Sequence, residues 1–203
     1  MTTRMRLLAV TFAALVLAGC AGSPASRFYT LASPVPPEPG PPRGLAVTVG
    51  PVAIPAVVDR PEIVVTVGPN EVWLDEYHRW AGPLADAVGL ALVGHLTVLL
   101  PSPQVTLLAQ TPGGPSDLRV AVEVQRFDSV PGSHALVDAV FTVRNTASGR
   151  VHTGRTTARE ATADKSYDAL AAAHSRAVAR LARDIASGVT AVAGPGPGPS
   201  PAR

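Results

Sequence analysis

The sequence is poor in the residue types that build most catalytic and nucleic-acid-binding sites. Its 203 residues include one cysteine, 4% aromatic residues and 16% charged residues. A single cysteine excludes a disulfide within the chain and a multi-cysteine metal site. Of the 17 basic residues, Arg4 and Arg6 lie in the first segment, which leaves 15 basic side chains against 15 acidic ones. This near-neutral body argues against nucleic acid as a partner, because nucleic-acid binders carry a basic surplus.

The cysteine stands at the end of an N-terminal secretory signal. Arg4 and Arg6 precede an apolar run from Leu7 to Ala18, which is shorter than the ~20 residues of a membrane-spanning helix. The run closes on Leu17-Ala18-Gly19-Cys20. This tetrapeptide resembles the bacterial lipobox, in which signal peptidase II cuts before the cysteine and the new N-terminus receives acyl chains such as palmitate. The alternative is an ordinary signal with an incidental cysteine.

Composition divides the chain into four segments. We predict a lipoprotein signal peptide over 1–19, a lipid anchor and proline-rich tether over 20–43, one folded domain over 44–192, and a disordered Pro/Gly tail over 193–203. The tether contains the stretch SPVPPEPGPPRG, which favours extended polyproline II. Ala21, where an aspartate tends to retain Gram-negative lipoproteins in the inner membrane, favours the periplasmic face of the outer membrane.

Hydrophobic periodicity predicts an α/β domain with a hairpin, a meander and two helices. Strands are marked by alternation or β-branched runs, and helices by apolar residues at helical spacing. The predicted order is a strand at 45–49, a loop at 52–61, a hairpin of 63–67 and 71–75, a helix from Gly82-Pro83 to about residue 100, a strand at 105–109, an antiparallel meander of 118–125, 135–144 and 150–160, and a helix at 166–189. The meander should have one solvent-exposed face, with its last strand at an edge.

The C-terminal helix should be amphipathic. Its apolar stripe is predicted to be Leu170, Ala173, Ala177, Leu181 and Ile185. Its polar side chains should point away from the sheet, and these are Arg176, Arg180, Arg183 and Asp184.

No combination of residues predicts an active site. Ser133, His134 and Asp138 are close in sequence, but His134 and Asp138 would lie about 13 Å apart on one strand face. The five histidines show no pair at the spacing of a helical metal site. His95 and His174 are more simply explained as packing residues. We therefore predict neither an enzyme, nor a cofactor, nor a metal site.

Two stretches are candidates for an interaction surface. Asp59-Arg60-Pro61 lies between apolar segments, and Arg79-Trp80 leads into the first helix. Tryptophan and arginine concentrate binding energy at interfaces. The alternative is structural, with Trp80 closing the core and Asp59 paired with Arg60 or Arg79.

These stretches also carry a family resemblance that covers most of the mature chain. Short motifs follow one another here in an order that resembles that of the ABC-type transport auxiliary lipoproteins. They are Phe28-Tyr29-Thr30-Leu31, Val49-Gly50-Pro51 with Asp59-Arg60-Pro61, Arg79-Trp80-Ala81-Gly82-Pro83, and Phe127-Asp128. The chain is similar to the members of this family that resemble paraquat-inducible protein C.

The resemblance implies a non-catalytic protein of the bacterial envelope. It implies a periplasmic domain on the outer membrane, with a layered α/β fold and a mixed β-sheet similar to the N-terminal domain of TolB. Its partners would be an inner-membrane ABC permease and a mammalian-cell-entry substrate-binding protein, in a system for lipid transport and membrane integrity. Some relatives self-associate into rings, which makes a homo-oligomer possible here. Two alternatives remain: a carrier that holds an acyl chain between the first helix and the sheet, and an envelope hydrolase built on Ser133 and His134.

Overall fold

The computed structural model describes residues 24–34, 44–100, 104–110 and 116–193. In chain order, these residues form β1 (Arg27–Tyr29), β2 (Ala46–Ala53), β3 (Glu62–Gly68), β4 (Glu71–Trp80), α1 (Leu84–Leu99), β5 (Gln104–Leu107), β6 (Leu118–Val130), β7 (His134–Asn145), β8 (Val151–Ala161) and α2 (Tyr167–Ala193). The α/β class, the hairpin, the meander and both helices are confirmed. Cys20 and residues 194–203 lie outside the described residues.

The strands form two sheets, where the sequence suggested one. The larger sheet has the order β5-β2-β6-β7-β8, in which β2 is parallel to β5 and β6 and the meander is antiparallel. The smaller sheet has the order β1-β4-β3, with β1 parallel to β4. Local periodicity could not reveal the second sheet, because β4 takes β1 as a partner from far upstream in the chain. β8 is an edge strand of the larger sheet, as its polar composition predicts.

One face of the larger sheet is buried and the other is open to solvent. Leu118, Val120, Val122 and Val124 of β6 are at most 3% exposed, whereas Arg119 and Glu123 between them are exposed. The helices cover the buried face. A Cβ atom placed on Gly188 of α2 would lie 3.3 Å from both Phe141 and Val143 of β7. The period of two in the sequence therefore reports a real difference between the two faces.

Helix α1 buries one apolar stripe and exposes another. Its residues at 0% exposure are Leu84, Val88, Leu92 and Leu96, which recur every four positions and so share one face. Three other apolar residues of the helix are exposed to solvent, namely Leu90 (46%), Val98 (50%) and Leu99 (43%). Pro83 is the N-cap residue, so the helix begins one position later than predicted.

Helix α2 follows the prediction on its apolar side and departs from it on its polar side. All five predicted stripe residues are buried, and Ser166 caps the helix by accepting the N–H of Ala169 at 3.1 Å. Arg176 and Arg180, however, turn to Glu160 on β8, and Asp184 accepts the hydroxyl of Thr156 at 2.6 Å. The polar side chains are long enough to reach the edge strand beside the helix, so they join α2 to β8.

The N-terminal residues belong to the folded body earlier than predicted. Arg27–Tyr29 pairs with β4, and the N–H of Ala32 donates to Ser175 Oγ on α2 at 2.9 Å. Leu31 is buried as well. The stretch expected to be a tether over 20–43 therefore contains a packed segment, with strand β1 at Arg27–Tyr29 and a buried Leu31. Residues 35–43 of the proline-rich stretch lie outside the described residues.

Candidate interaction surface

Three motifs that are far apart in the sequence meet at the smaller sheet. The Trp80 N–H donates to the Pro61 carbonyl oxygen at 2.7 Å, and the Ala81 N–H donates to the Tyr29 carbonyl oxygen at 2.8 Å. Phe28 lies opposite Arg79 in the parallel pairing of β1 with β4. Three of the motifs that carry the family resemblance are thus adjacent in the structure.

The centre of this region is an ion cluster on Glu62. Arg60 Nε donates to Glu62 Oε2 at 3.0 Å, and Arg79 Nη2 donates to Glu62 Oε1 at 2.5 Å. The hydrogen bond from Arg79 and then that from Arg60 lower the pKa of Glu62 to about 2. The arginine side chains keep 41% and 37% of their surface exposed. We call Arg60, Glu62 and Arg79 the Glu62 cluster.

The arginines pair with Glu62 and not with Asp59, the acidic partner that the structural alternative predicted. Among the described residues, neither Arg60 nor Arg79 pairs with Asp59, which is exposed in the turn before them. Its backbone N–H donates to the Pro55 carbonyl oxygen at 3.1 Å. Glu62 directly follows the Asp59-Arg60-Pro61 stretch and is not part of it. The antiparallel pairing that sets Glu62 opposite Arg79 is the signal that would have found it.

Trp80 lies in the core and not on the surface. It is 4% exposed and packs edge-on against Phe127 and His174, with ring centroids 6.1 Å away in both cases. His174 is itself stacked on Phe127 at 3.9 Å and shares a 2.8 Å hydrogen bond with Ser129 Oγ. Burial lowers the pKa of His174 to about 3, so the ring is neutral. This packing favours the structural interpretation of Trp80.

In contrast to Trp80, two other aromatic residues of this region are exposed to solvent. Phe28 on β1 is 63% exposed and Trp73 on β4 is 62% exposed. Phe28 adjoins the Glu62 cluster through its pairing with Arg79. Trp73 carries no signal of its exposure in the sequence, because it lies in an alternating strand of which either face could have been buried.

A second polar cluster fixes β4 to α2. Asp75 accepts the hydroxyl of Tyr167 at 2.7 Å, shares a 3.0 Å hydrogen bond with His78 Nδ1 and accepts the backbone N–H groups of Tyr77 and His78 at 2.9 Å. These hydrogen bonds outweigh partial burial and lower the pKa of Asp75 to about 2. Burial and the bond to Asp75 in turn raise the pKa of Tyr167. The His78 ring is stacked on Tyr167 at a centroid distance of 4.0 Å.

Within the part of the chain that the structure describes, the hydrolase hypothesis finds a serine–histidine contact but no carboxylate hydrogen-bonded to that histidine. Ser133 Oγ lies 2.9 Å from His134 Nδ1, and Arg159 Nη2 lies 3.1 Å from the same nitrogen. Asp138 is engaged elsewhere, by Arg155 at 2.6 and 2.9 Å. Burial and then the charge of Arg159 lower the pKa of His134. A nucleophilic triad needs a carboxylate on the second ring nitrogen, and here an arginine and the serine share one nitrogen.

The acyl-carrier hypothesis needs a cavity between α1 and the sheet. That interface is filled by the fully buried side chains of α1, which are Leu84, Val88, Leu92 and Leu96. An open groove of about 660 Å³ lies instead on the solvent face of the larger sheet, lined by Pro51, Ile54 and Pro55 with β6 and β7 residues that include Glu123 and Val140. The groove is therefore separated from α1 by the sheet.

No three histidine, cysteine, aspartate or glutamate side chains within the described residues lie close enough together to hold a metal ion. Neither α1 nor α2 combines the length and hydropathy that a membrane crossing requires.

Comparison with known proteins matches most of the folded body. A family model described as "ABC-type transport auxiliary lipoprotein component" matches residues 29–186. A crystal structure of an uncharacterized protein superposes with a TM-score of 0.68 at 17% identity, covering 81% of this chain and 98% of its own. A crystal structure of a Xanthomonas campestris protein assigned to DUF330 gives 0.63 at 20% identity, covering 83% and 96%. No match is found among curated proteins. The two crystal structures show the same fold.

Proposed function

Because the chain belongs to the ABC-type transport auxiliary lipoprotein family, we propose that it is the outer-membrane-anchored, non-catalytic docking component of an intermembrane lipid transport system. Its partners are a mammalian-cell-entry substrate-binding protein and an ABC permease. The family match over 29–186 carries this proposal. The lipobox-like Leu17-Ala18-Gly19-Cys20 supports lipid anchoring at Cys20, and Ala21 supports the periplasmic face of the outer membrane.

We place the docking surface on the Glu62 cluster and Phe28. Both arginines are held in position by one carboxylate, so little side-chain entropy remains to be lost on binding. Phe28 adds an exposed aromatic ring beside them. A pre-oriented pair of arginines next to an aromatic ring is the composition typical of interface hot spots. Asp59 and Pro61 shape the turn that presents Arg60, whereas Trp80 supports the surface from below.

Capture of partners from solubilised membranes tests the proposal. The full-length lipoprotein should recover the permease and the mammalian-cell-entry protein. Arg60→Ala and Phe28→Ala should each lower recovery about tenfold, which corresponds to ~1.4 kcal/mol. Arg119→Ala is the matched control, since Arg119 is an exposed arginine on the open face of the larger sheet. Equal recovery by all variants would move the docking surface elsewhere, and recovery of neither partner would refute the function.

Anchoring is tested separately by membrane fractionation. Cys20→Ala should release the protein from membranes, because the acyl attachment is lost. Ala21→Asp should shift it from outer-membrane to inner-membrane density while leaving lipidation intact. An Ala21→Asp protein that stays with the outer membrane would contradict the sorting argument.

A further inference from the structure

The β3–β4 hairpin ends in an apolar tip that no other described element covers. At its base, Val64 and Val65 are 5% and 6% exposed. Within a few residues the exposure rises to 55% for Val67, 46% for Val72, 62% for Trp73 and 37% for Leu74. We call residues 66–74 the hairpin tip. Large apolar side chains gathered in this way mark a contact with something other than water.

The pairing register places apolar side chains on both faces of the tip. Trp73 lies opposite Val65, whereas Val72 lies opposite Thr66 and Leu74 opposite Val64. Opposed residues of an antiparallel pair share a face and successive residues alternate. Trp73 therefore projects from one face, and Val72 and Leu74 from the other. A flat protein partner would cover a single face, but a lipid interface can surround both.

The chain that leads to the lipid anchor leaves the domain towards this tip. β1 is parallel to β4, with Arg27 beside His78 and Tyr29 beside Trp80. Residues that precede Arg27 therefore depart in the direction of Glu71, at the start of β4. Cys20 is seven residues before Arg27, so it can lie at most ~25 Å away.

The hairpin tip extends beyond Arg27 by a distance similar to the greatest separation of Cys20 from Arg27. Glu62 lies opposite Arg79 and Gly68 opposite Glu71, so the tip stands about 20 Å beyond the level of Arg27 at the usual strand rise. A bilayer that holds the acyl chains of Cys20 therefore lies within reach of the tip. Any path shorter than full extension brings the bilayer closer to the tip.

We infer that the hairpin tip rests in the headgroup layer of the membrane that holds the anchor. This inference depends on the proposed lipidation of Cys20. Tryptophan is suited to that layer, because its ring is apolar and its N–H can still donate a hydrogen bond. The tip carries one charged residue, Glu71, and neither lysine nor arginine. It therefore favours a zwitterionic phospholipid surface over an anionic one.

Tryptophan fluorescence of the lipidated full-length protein in vesicles tests this contact. The chain has two tryptophans, and Trp80 is buried, so the difference between wild type and Trp73→Phe isolates Trp73. In zwitterionic phosphatidylethanolamine–phosphatidylcholine vesicles, we expect brominated lipids to quench the wild-type emission. We expect that quenching to be lost in Trp73→Phe and to be no stronger when anionic lipid is added.

A matched pair of variants separates contact with lipid from anchoring. Val72→Glu and Leu90→Glu replace side chains that are both 46% exposed, the first in the hairpin tip and the second on α1. Val72→Glu should reduce the quenching of Trp73 at least twofold, and Leu90→Glu should leave it unchanged. Flotation with the vesicles reports anchoring independently.

Each remaining outcome contradicts the inference. A protein that floats without bromine quenching has its anchor but no tip contact, so the proposed function would survive. Emission that responds to protein density and not to bromine would identify a second copy of the chain as the occupant. A protein that fails to float would contradict the anchoring and the inference together.

Discussion

Replacement of Trp80 by alanine should destabilise the domain before it affects any partner. The side chain is 4% exposed and contacts two aromatic rings at 6.1 Å. Removal of a buried tryptophan costs about 3–5 kcal/mol, and part of this is the loss of two edge-on ring contacts worth ~0.5–1.5 kcal/mol each. A domain of this size has about 5–15 kcal/mol of total stability. Trp80→Ala should therefore leave it only marginally folded.

Urea denaturation of the mature chain, followed by far-ultraviolet circular dichroism, measures this loss. A Cys20→Ser background removes the acylation site. Trp80→Phe should lose less, about 1–2 kcal/mol, because one ring remains in the aromatic cluster. Trp73→Ala is the surface control, and it should change the free energy of unfolding by less than ~0.5 kcal/mol because Trp73 is largely exposed.

One result would contradict the structural role of Trp80. If Trp80→Ala lowers the free energy of unfolding by less than about 1 kcal/mol and still abolishes capture of the transporter partners, Trp80 acts as an interface residue. The packing seen around it would then not describe its role.

Three further predictions follow from the polar clusters and from close packing. Tyr167→Phe should lower the free energy of unfolding by about 1–2 kcal/mol, because it removes the hydroxyl group that donates to Asp75. A double-mutant cycle with Asp75→Asn should show that the two losses are not additive. Glu62 and Asp75 have folded-state pKa values of about 2, below their ordinary values of 4.5 and 3.8. Their contribution to stability is therefore complete above about pH 5 and is lost as the pH falls towards 2. A free energy of unfolding that stays constant between pH 5 and pH 2 would contradict this. Gly188→Ala should cost about 1–3 kcal/mol, since its Cβ would lie 2.7 Å from His152, whereas Gly82→Ala, which meets nothing within 4 Å, should be neutral by thermal melting.

The strands of the meander and the two helices could be predicted because their signals are local. Alternation along β6 and β7 and the four-residue spacing in α1 each report burial within one element. The smaller sheet could not be predicted in the same way. β1 and β4 are about fifty positions apart, and three residues carry too little pattern to indicate a strand.

The candidate site was predicted in part for the same reason. Arg60 and Arg79 could be selected by residue type, but their shared partner depends on the register of the hairpin. Trp80 and Trp73 have opposite burial in the same strand. Residue type alone could not decide which of them faces solvent.

The pairing of β1 with β4 also has a mechanical consequence. With Cys20 lipidated as we propose, any pull between the membrane and a transporter partner would enter the domain at Arg27 and act along the axis of β1. The β1–β4 hydrogen bonds and the hydrogen bonds from Ala81 to Tyr29 and from Ala32 to Ser175 are then loaded in shear, together and not one after another. The anchor is thus joined to the sheet and to α2 at once, so tension is carried by the whole domain and does not peel the first strand away.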